Sequence, residues 1–357
     1  MKPTQQLHDL GQSLWLDNIT RTMLDDGTLE RYVDGLSITG LTSNPTIFDH
    51  AISEGHAYDE QIADLKAAGS TAEDAFFELA IADLRRAATL FEPIHDRTDR
   101  LDGWVSLEVS PLLADDAKAT IRQAAQLHAS AGVKNLLIKI PGTPAGLEAI
   151  EETIYAGIPV NVTLLFSREH YIAASEAYMR GVERRIKAGL NPAVRSVASV
   201  FISRWDKAVI DRTPLELHGK LAIAIAQRTY RAYREMLDSE HWQRLWNEGA
   251  RPQRLLWAST GTKDPDASDV LYIEALAAPF TINTMPEPTL LAFAEHGTVS
   301  APLPAGGGDC EEVLARFAEL DIDVDELGAT LQKDGAQSFV DSWTELMDTI
   351  AREAQAV

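Results

Sequence analysis

The sequence has almost no cysteine and no recognisable metal-binding pattern. Cys310 is the only cysteine among 357 residues, which excludes an internal disulfide, a CxxC redox motif and a zinc site built from several thiolates. The nine histidines are scattered, without HxH or HExxH spacing. We therefore predict no metal and no other cofactor. A reducing compartment fits this composition, and we expect a cytoplasmic protein.

Long apolar runs and positive charge are also scarce. No run approaches the roughly 18 apolar residues of a transmembrane helix, and the opening MKPTQQLHDLGQ lacks the apolar core of a signal peptide. The chain has 32 Lys and Arg against 54 Asp and Glu, a formal net charge of −22. We expect it to bind neither nucleic acid nor membranes, because such a charge repels polyanions. An anionic small substrate would require its own local Arg or Lys.

What the sequence does contain is a repeated strand and helix pattern. Eight short runs rich in β-branched and apolar residues predict strands at 13–19, 36–44, 103–109, 135–141, 159–166, 195–203, 254–261 and 280–285. Amphipathic stretches predict crossover helices between them, for example at 112–131, 147–155, 168–188 and 215–246. This alternation indicates a parallel sheet.

Eight such units predict a closed (β/α)8 barrel, with residues 1–357 as a single domain. The alternative is a doubly wound open sheet, which normally carries a Gly-rich phosphate turn after an early strand, and no such turn is present. Two segments exceed a minimal barrel. Residues 46–102 have room for two extra helices, with 71–91 the clearest, and the tail after Pro286 has room for at least two more.

Polar residues interrupt the predicted strands toward their C-terminal ends, where barrel enzymes carry their chemistry. They are Asp17 in LWLDNI, Asn44 in LTSNPT, Glu108 in VSLEVS, Lys139 in LLIKIPG, Asn161 and Thr163 in VNVTLLF, Ser199 in VASVF and Ser259 in LWAST. Taken singly, most have a structural explanation; Asn44, which precedes a proline, is typical of a turn. Their recurrence at the same end of successive strands favours a common site.

Lys139 is the sharpest of these signals. A lysine within Leu-Leu-Ile-Lys-Ile has no solvated face if its strand is covered on both sides, and desolvation favours the neutral amine that attacks a carbonyl. An edge-strand lysine that reaches water, or a structural ion pair with a buried carboxylate, is the alternative. Asp17 and Glu108 are carboxylates in apolar strands, and a carboxyl group near a Schiff-base lysine can move protons. A helix cap for Asp17 and an ion pair for Glu108 are their alternatives.

Seven segments together resemble the transaldolase family, in its longer bacterial branch. They are LWLDNI, GLTSNPT, SLEVSP, LLIKIPGT, NVTLLFS, SVFISR and LLWAST, from Asp17 to about Met285. The resemblance implies a class I aldolase-type barrel of the non-oxidative pentose phosphate pathway. Such an enzyme transfers a dihydroxyacetone unit from sedoheptulose 7-phosphate or fructose 6-phosphate to glyceraldehyde 3-phosphate or erythrose 4-phosphate.

The resemblance also implies a role for each matching residue. Lys139 matches the Schiff-base lysine, and Asp17 matches the acid and base of carbon–carbon cleavage. Glu108 and Thr163 match the pair that holds the water of imine formation and hydrolysis. The residues that match contacts to the dihydroxyacetone hydroxyls are Asn44, Asn161 and Ser199, and those that match phosphate contacts are Arg204 and Ser259.

One phosphate contact of the family is replaced here. Many members carry an arginine two positions after Ser259, where this chain has Gly261. Lys263 is the candidate substitute. Arg204 offers a bidentate fork for phosphate, with a surface salt bridge at the start of the following helix as the alternative.

Two other functions are compatible with the fold: a fructose 6-phosphate aldolase, which is a lyase, and a barrel that binds sugar phosphates without catalysis. The second is disfavoured because every chemical position holds a competent residue. The family's aldolases usually carry Gln where Glu108 stands and Tyr where Phe201 stands, so both positions favour transfer. Phe201 follows Ser199 by two residues and should face the same interior. We expect a monomer or a homodimer.

Overall fold

Eight parallel strands form the centre of the computed structural model, which describes residues 1–53 and 55–356. They are β1 (Ser13–Asp17), β2 (Ile38–Thr42), β3 (Val105–Glu108), β4 (Leu136–Pro141), β5 (Val160–Leu165), β6 (Ser196–Phe201), β7 (Gln253–Ala258) and β8 (Ile282–Met285). All eight predicted strands are present; seven are shorter than predicted at one or both ends, and β7 begins one residue earlier and ends three residues earlier.

The sheet closes on itself between β2 and β3. Hydrogen bonding runs in the order β2-β1-β8-β7-β6-β5-β4-β3, and a parallel bridge from Gly40 to Trp104 joins its two ends. A Cβ atom at Gly40 would lie 2.7 Å from the Trp104 carbonyl oxygen and 2.7 Å from the Trp15 ring. Glycine therefore permits the close approach that closes the barrel. The prediction of a (β/α)8 barrel is confirmed, and the open-sheet alternative is wrong.

Helices surround the barrel throughout the described chain. They are α1 (Pro3–Asp9), α2 (Arg21–Asp25), α3 (Thr28–Leu36), α4 (Pro45–Ser53), α5 (Asp59–Ala67), α6 (Ala72–Arg97), α7 (Ala117–Ala131), α8 (Pro144–Ala156), α9 (Arg168–Lys187), α10 (Ser203–Val209), α11 (Leu221–Asp238), α12 (Glu240–Asn247), α13 (Leu271–Ala275), α14 (Glu287–His296), α15 (Cys310–Ala318) and α16 (Val324–Ala356). None of the helices in the described residues is both long and apolar enough to cross a membrane.

Several predicted helical stretches differ from the structure; the stretch 112–131, for example, is α-helical only from Ala117, in α7. The segment 46–102 carries α4, α5 and α6, so the clearest predicted helix is the barrel's own crossover and the two others are extra. The predicted helix 215–246 begins later, at Leu221, and breaks into α11 and α12. The Ser239 hydroxyl causes this break by accepting a hydrogen bond from the Trp242 amide, which caps a new helix.

The N-terminal end of the barrel interior is closed by a buried polar cluster. Arg254 donates to the Ser13 hydroxyl at 2.7 Å, and its guanidinium lies 4.0 Å from the Asp102 carboxylate. Asp102 also accepts a hydrogen bond from the Trp15 indole at 2.7 Å. Polar residues at this end are thus paired with one another, which leaves the opposite end of the strands as the place for chemistry.

Candidate active site

A cavity of about 440 Å³ opens at the C-terminal end of the barrel. The predicted site residues that line it are Asp17, Asn44, Lys139, Thr163, Ser199, Phe201, Arg204, Ser259 and Lys263. The two that do not are Glu108 and Asn161, which lie buried beside it. Side chains from six strands or strand-end loops, with Arg204 from α10, therefore converge at one mouth, as their recurrence at strand ends predicts.

Lys139 lies on β4 with its ammonium held at two points. The Nζ atom donates to the Ser43 carbonyl at 3.0 Å and lies 3.0 Å from the Glu108 carboxylate. Glu108 is the register partner of Lys139 on the neighbouring strand β3. The side chain is only 6% exposed but lines the cavity. The ion-pair explanation of this lysine is therefore true, and it does not compete with a chemical role.

Glu108 keeps unused hydrogen-bonding capacity. Its carboxylate forms an ion pair with Lys139 at 3.0 Å, and neither carboxylate oxygen has a hydrogen-bond partner among the other described residues. Burial raises the pKa of Glu108, and the nearby ammonium of Lys139 only partly offsets this. The Thr163 hydroxyl is likewise buried without a partner among the described residues. Both groups can hold a small polar molecule.

Asp17 is the last residue of β1 and is partly exposed to the cavity. Its Oδ1 atom accepts a hydrogen bond from the Thr42 hydroxyl at 2.8 Å, and Thr42 in turn contacts the Thr284 hydroxyl at 2.7 Å. Burial raises the pKa of Asp17, opposed by the charge of Lys139 and by the bond from Thr42. The carboxyl group is thus oriented and tuned toward proton exchange.

The predicted amide and hydroxyl residues near the Lys139 amine are held by hydrogen bonds. Ser199 donates to Asn161 at 2.7 Å, and the Asn161 amide donates to the Ser106 hydroxyl at 3.2 Å. Asn161 is the register partner of Lys139 on β5. Asn44 caps α4 by accepting from the Ile47 amide at 3.1 Å. Asn44 therefore does have the turn role that its position before a proline indicates. The NH2 group of its side chain is not used by this cap and can serve the cavity.

The far side of the cavity is cationic. Arg204 lies at the start of α10, half-buried, and makes no ion pair with any described residue; the salt-bridge alternative is wrong. Burial lowers the pKa of Arg204, and its guanidinium lies 5.6 Å from the centroid of the Phe201 ring. Lys263, exposed at the rim, adds a second cation beside Ser259.

The glycine at position 261 has little room for a side chain. A Cβ atom there would lie 3.2 Å from Pro286 Cγ and 3.4 Å from the Thr289 hydroxyl. An arginine would require these neighbours to shift slightly. Lys263, two residues on, reaches the same cavity from the loop.

Several lining residues are not predicted from the sequence. Thr42 and Thr284 contribute hydroxyls from the strands, and Ser338, Phe339 and Ser342 come from α16. Thr42 belongs to the GLTSNPT segment, and its position at the end of a predicted strand is a signal that could have identified it. Nothing in the sequence identifies the α16 residues as lining residues, because helical periodicity does not indicate which other element the helix will contact.

A wider and shallower groove of about 630 Å³ lies elsewhere, next to α15. Its charged pair, Arg228 and Glu311, is joined in an ion pair. No buried polar side chain without a partner borders this groove in the described chain. Size alone is therefore a poor guide here, because the smaller cavity is the one lined by a buried hydroxyl without a described partner, that of Thr163.

Comparison with known proteins agrees with this geometry. The model of the transaldolase/fructose-6-phosphate aldolase family matches residues 14–350. A transaldolase of Thermobifida fusca is 42% identical over 99% of this chain and 99% of its own length. Transaldolases of Frankia alni and Kocuria rhizophila are 43% and 44% identical, each over 98% of this chain and 97% of their own length. The chain therefore belongs to the transaldolase/fructose-6-phosphate aldolase family.

Proposed function

We propose that the chain is a transaldolase that transfers a dihydroxyacetone unit between sugar phosphates through an imine on Lys139. One observation carries this proposal: the Lys139 amine lines the cavity together with Asp17 and lies 3.0 Å from the carboxylate of Glu108, which is buried beside the cavity. A ketose carbonyl in the cavity would meet a nucleophile and groups able to move protons.

Imine formation begins when Lys139 passes its ammonium proton to the paired Glu108 carboxylate and attacks the ketose carbonyl carbon as the neutral amine. The carbinolamine then loses its oxygen as water, and the reverse addition of water later releases product. Glu108 and Thr163 have the buried oxygen atoms with unused hydrogen-bonding capacity. We assign them to binding and activating this water.

Cleavage breaks the carbon–carbon bond next to the imine. Asp17 takes the proton of the hydroxyl on the leaving fragment, which departs as an aldehyde, and the bonding electron pair moves into the imine to give an enamine. The charge of Lys139 helps to hold Asp17 ionised, whereas burial opposes ionisation. Asn44 and Ser199 line the cavity beside the amine, and Asn161 fixes Ser199 from below. We assign these three to holding the dihydroxyacetone hydroxyls.

Transfer requires that the enamine persist without being protonated until an acceptor aldehyde binds. Phe201 offers neither a hydroxyl nor an amide beside the amine, and its ring stacks on Phe166 at 5.3 Å. A lyase, by contrast, must protonate the enamine promptly. We expect net turnover of fructose 6-phosphate to depend on added erythrose 4-phosphate, because the glyceraldehyde 3-phosphate that cleavage releases would only regenerate the donor. Acceptor-free release of dihydroxyacetone as fast as transfer would favour the lyase instead.

Arg204→Ala should raise KM for phosphorylated donors far more than KM for dihydroxyacetone-bearing ketoses without phosphate. A charge-assisted hydrogen bond is worth about 1.5–3 kcal/mol, so the expected increase is roughly 10- to 100-fold. Steady-state kinetics with both donor types measures it. Lys207→Ala is the matched control, since Lys207 is exposed on the same helix and does not line the cavity. Equal effects of Arg204→Ala on both donors would make Arg204 a structural residue.

The compartment and the assembly of the protein also belong to this proposal. We propose action in the cytoplasm as a monomer or a homodimer on anionic substrates that Arg204 and Lys263 attract locally into an otherwise acidic protein. Sedimentation velocity at enzyme concentrations used for assays would decide between monomer and dimer.

A further inference from the structure

The helix α16 supplies a wall of the cavity that no strand of the barrel supplies. Ser338, Phe339 and Ser342 line the cavity from this helix. The Phe339 ring centroid lies 5.9 Å from the Lys139 Nζ atom. An aromatic side chain from outside the barrel thus stands next to the amine on which the imine forms.

Phe339 continues a set of rings that begins inside the barrel. Its centroid lies 6.4 Å from that of Phe201, with the planes inclined at 67°, and Phe201 stacks on Phe166. We call Phe166, Phe201 and Phe339 the aromatic wall. Edge-to-face and stacked contacts of this kind hold rings in defined positions. None of these three rings carries a group that donates or accepts a proton.

Contacts that do not involve Phe339 fix the position of α16. The Gln332 amide donates to the carbonyl oxygens of Gly142 at 3.1 Å and Leu164 at 2.9 Å, at the ends of β4 and β5. The Trp343 ring packs edge-on against Phe76 with centroids 5.1 Å apart. A change at position 339 should therefore alter the wall without detaching the helix.

We propose that Phe339 is a specificity-determining residue that keeps water from the enamine and so favours transfer over release. This inference rests on the proposed function. After cleavage, the enamine carbon has two possible partners. It forms a bond with the carbonyl carbon of an acceptor aldehyde, or it takes a proton. Protonation gives an imine that water hydrolyses, which frees dihydroxyacetone and regenerates the Lys139 amine. The phenyl ring of Phe339 occupies space from which water could deliver that proton.

The test measures how the enamine divides between these two fates. Phe339→Leu keeps an apolar side chain but removes much of the ring's volume, so acceptor-free release of dihydroxyacetone from fructose 6-phosphate should rise several-fold relative to transfer. Labelling of Lys139 by borohydride in the presence of the donor should persist. Phe339→Met, which is closer in volume and more flexible, serves as a second variant and should change the ratio in the same direction.

Leu346→Ala is the control, since Leu346 is fully buried on the same helix and does not line the cavity. It should lower Tm and leave the ratio of release to transfer unchanged. An unchanged ratio in both Phe339 variants, with trapping at Lys139 intact, overturns the role of Phe339 alone. An equal rise in Leu346→Ala does the same, because general loosening of α16 would then explain it. Absence of trapping in the unaltered protein overturns the proposed function as well.

Discussion

Lys139→Met should abolish turnover, with kcat falling by roughly 10⁴-fold or more, as expected when an enzyme loses its covalent nucleophile. The methionine fills similar space at an almost fully buried position of β4 but has no amine to attack the ketose. Donor-dependent borohydride labelling should vanish with activity. The measurement is steady-state transfer with fructose 6-phosphate and an acceptor, together with intact-mass analysis after reduction.

Lys139→Met also leaves Glu108 without its ion-pair partner. The substitution should therefore lower the free energy of unfolding, and this effect can be measured separately from the loss of catalysis. Removing one member of a buried pair costs up to about 3–5 kcal/mol, and protonation of the remaining carboxyl group reduces that cost. The pKa of Glu108 is already raised by burial, so the lost stability should be recovered as pH falls through that raised pKa. Lys139→Arg keeps the charge and should restore stability without activity. Lys134→Met, at an exposed lysine, is the control and should keep both stability and activity.

Asp17→Asn should still form the imine but stall before carbon–carbon cleavage, because the amide cannot accept the hydroxyl proton. Loss of a positioned general base costs about 10²- to 10⁴-fold in rate. The imine with unbroken fructose 6-phosphate should accumulate and be trapped on reduction at the mass of the whole ketose. Asp25→Asn is the control, since Asp25 forms only an exposed ion pair with Arg86. Wild-type rates of single-turnover cleavage in Asp17→Asn would remove Asp17 from the mechanism.

The direction of the Asp17 pKa shift adds a pH dependence. Cleavage requires the carboxylate, and burial raises the pKa of Asp17 above its ordinary value. Cleavage should therefore fail as pH decreases through this raised pKa, at a higher pH than an exposed aspartate would give. This acidic limb should be absent from the residual activity of Asp17→Asn.

The barrel and most of its site follow from local sequence signals. Strands β4 and β5 are almost continuously apolar and are buried on both faces, so Lys139, Asn161 and Thr163 stand out as interruptions. Parallel pairing then places such interruptions at one end of the barrel. The resemblance to a known family supplied the individual roles, which composition and periodicity did not.

The remaining features depend on long-range packing. Helix α16 is amphipathic like many others, and nothing in its spacing predicts that Phe339 will lie near an amine on β4. An ion pair with a buried carboxylate is one alternative that the sequence leaves open for Lys139, and only the register of β3 with β4 places Glu108 as the partner. The break at Ser239 was missed because a capping hydroxyl is a weak signal inside a long apolar pattern.

The most direct test of an imine on Lys139 is to reduce the unaltered protein with borohydride in the presence of fructose 6-phosphate and to map the modified peptide. Donor-dependent adducts should form on Lys139 alone, with the mass of the reduced whole ketose before cleavage or of a reduced dihydroxyacetone unit where the enamine has returned to the imine after cleavage. An adduct on any other lysine, or no adduct while transfer activity is present, would contradict this assignment.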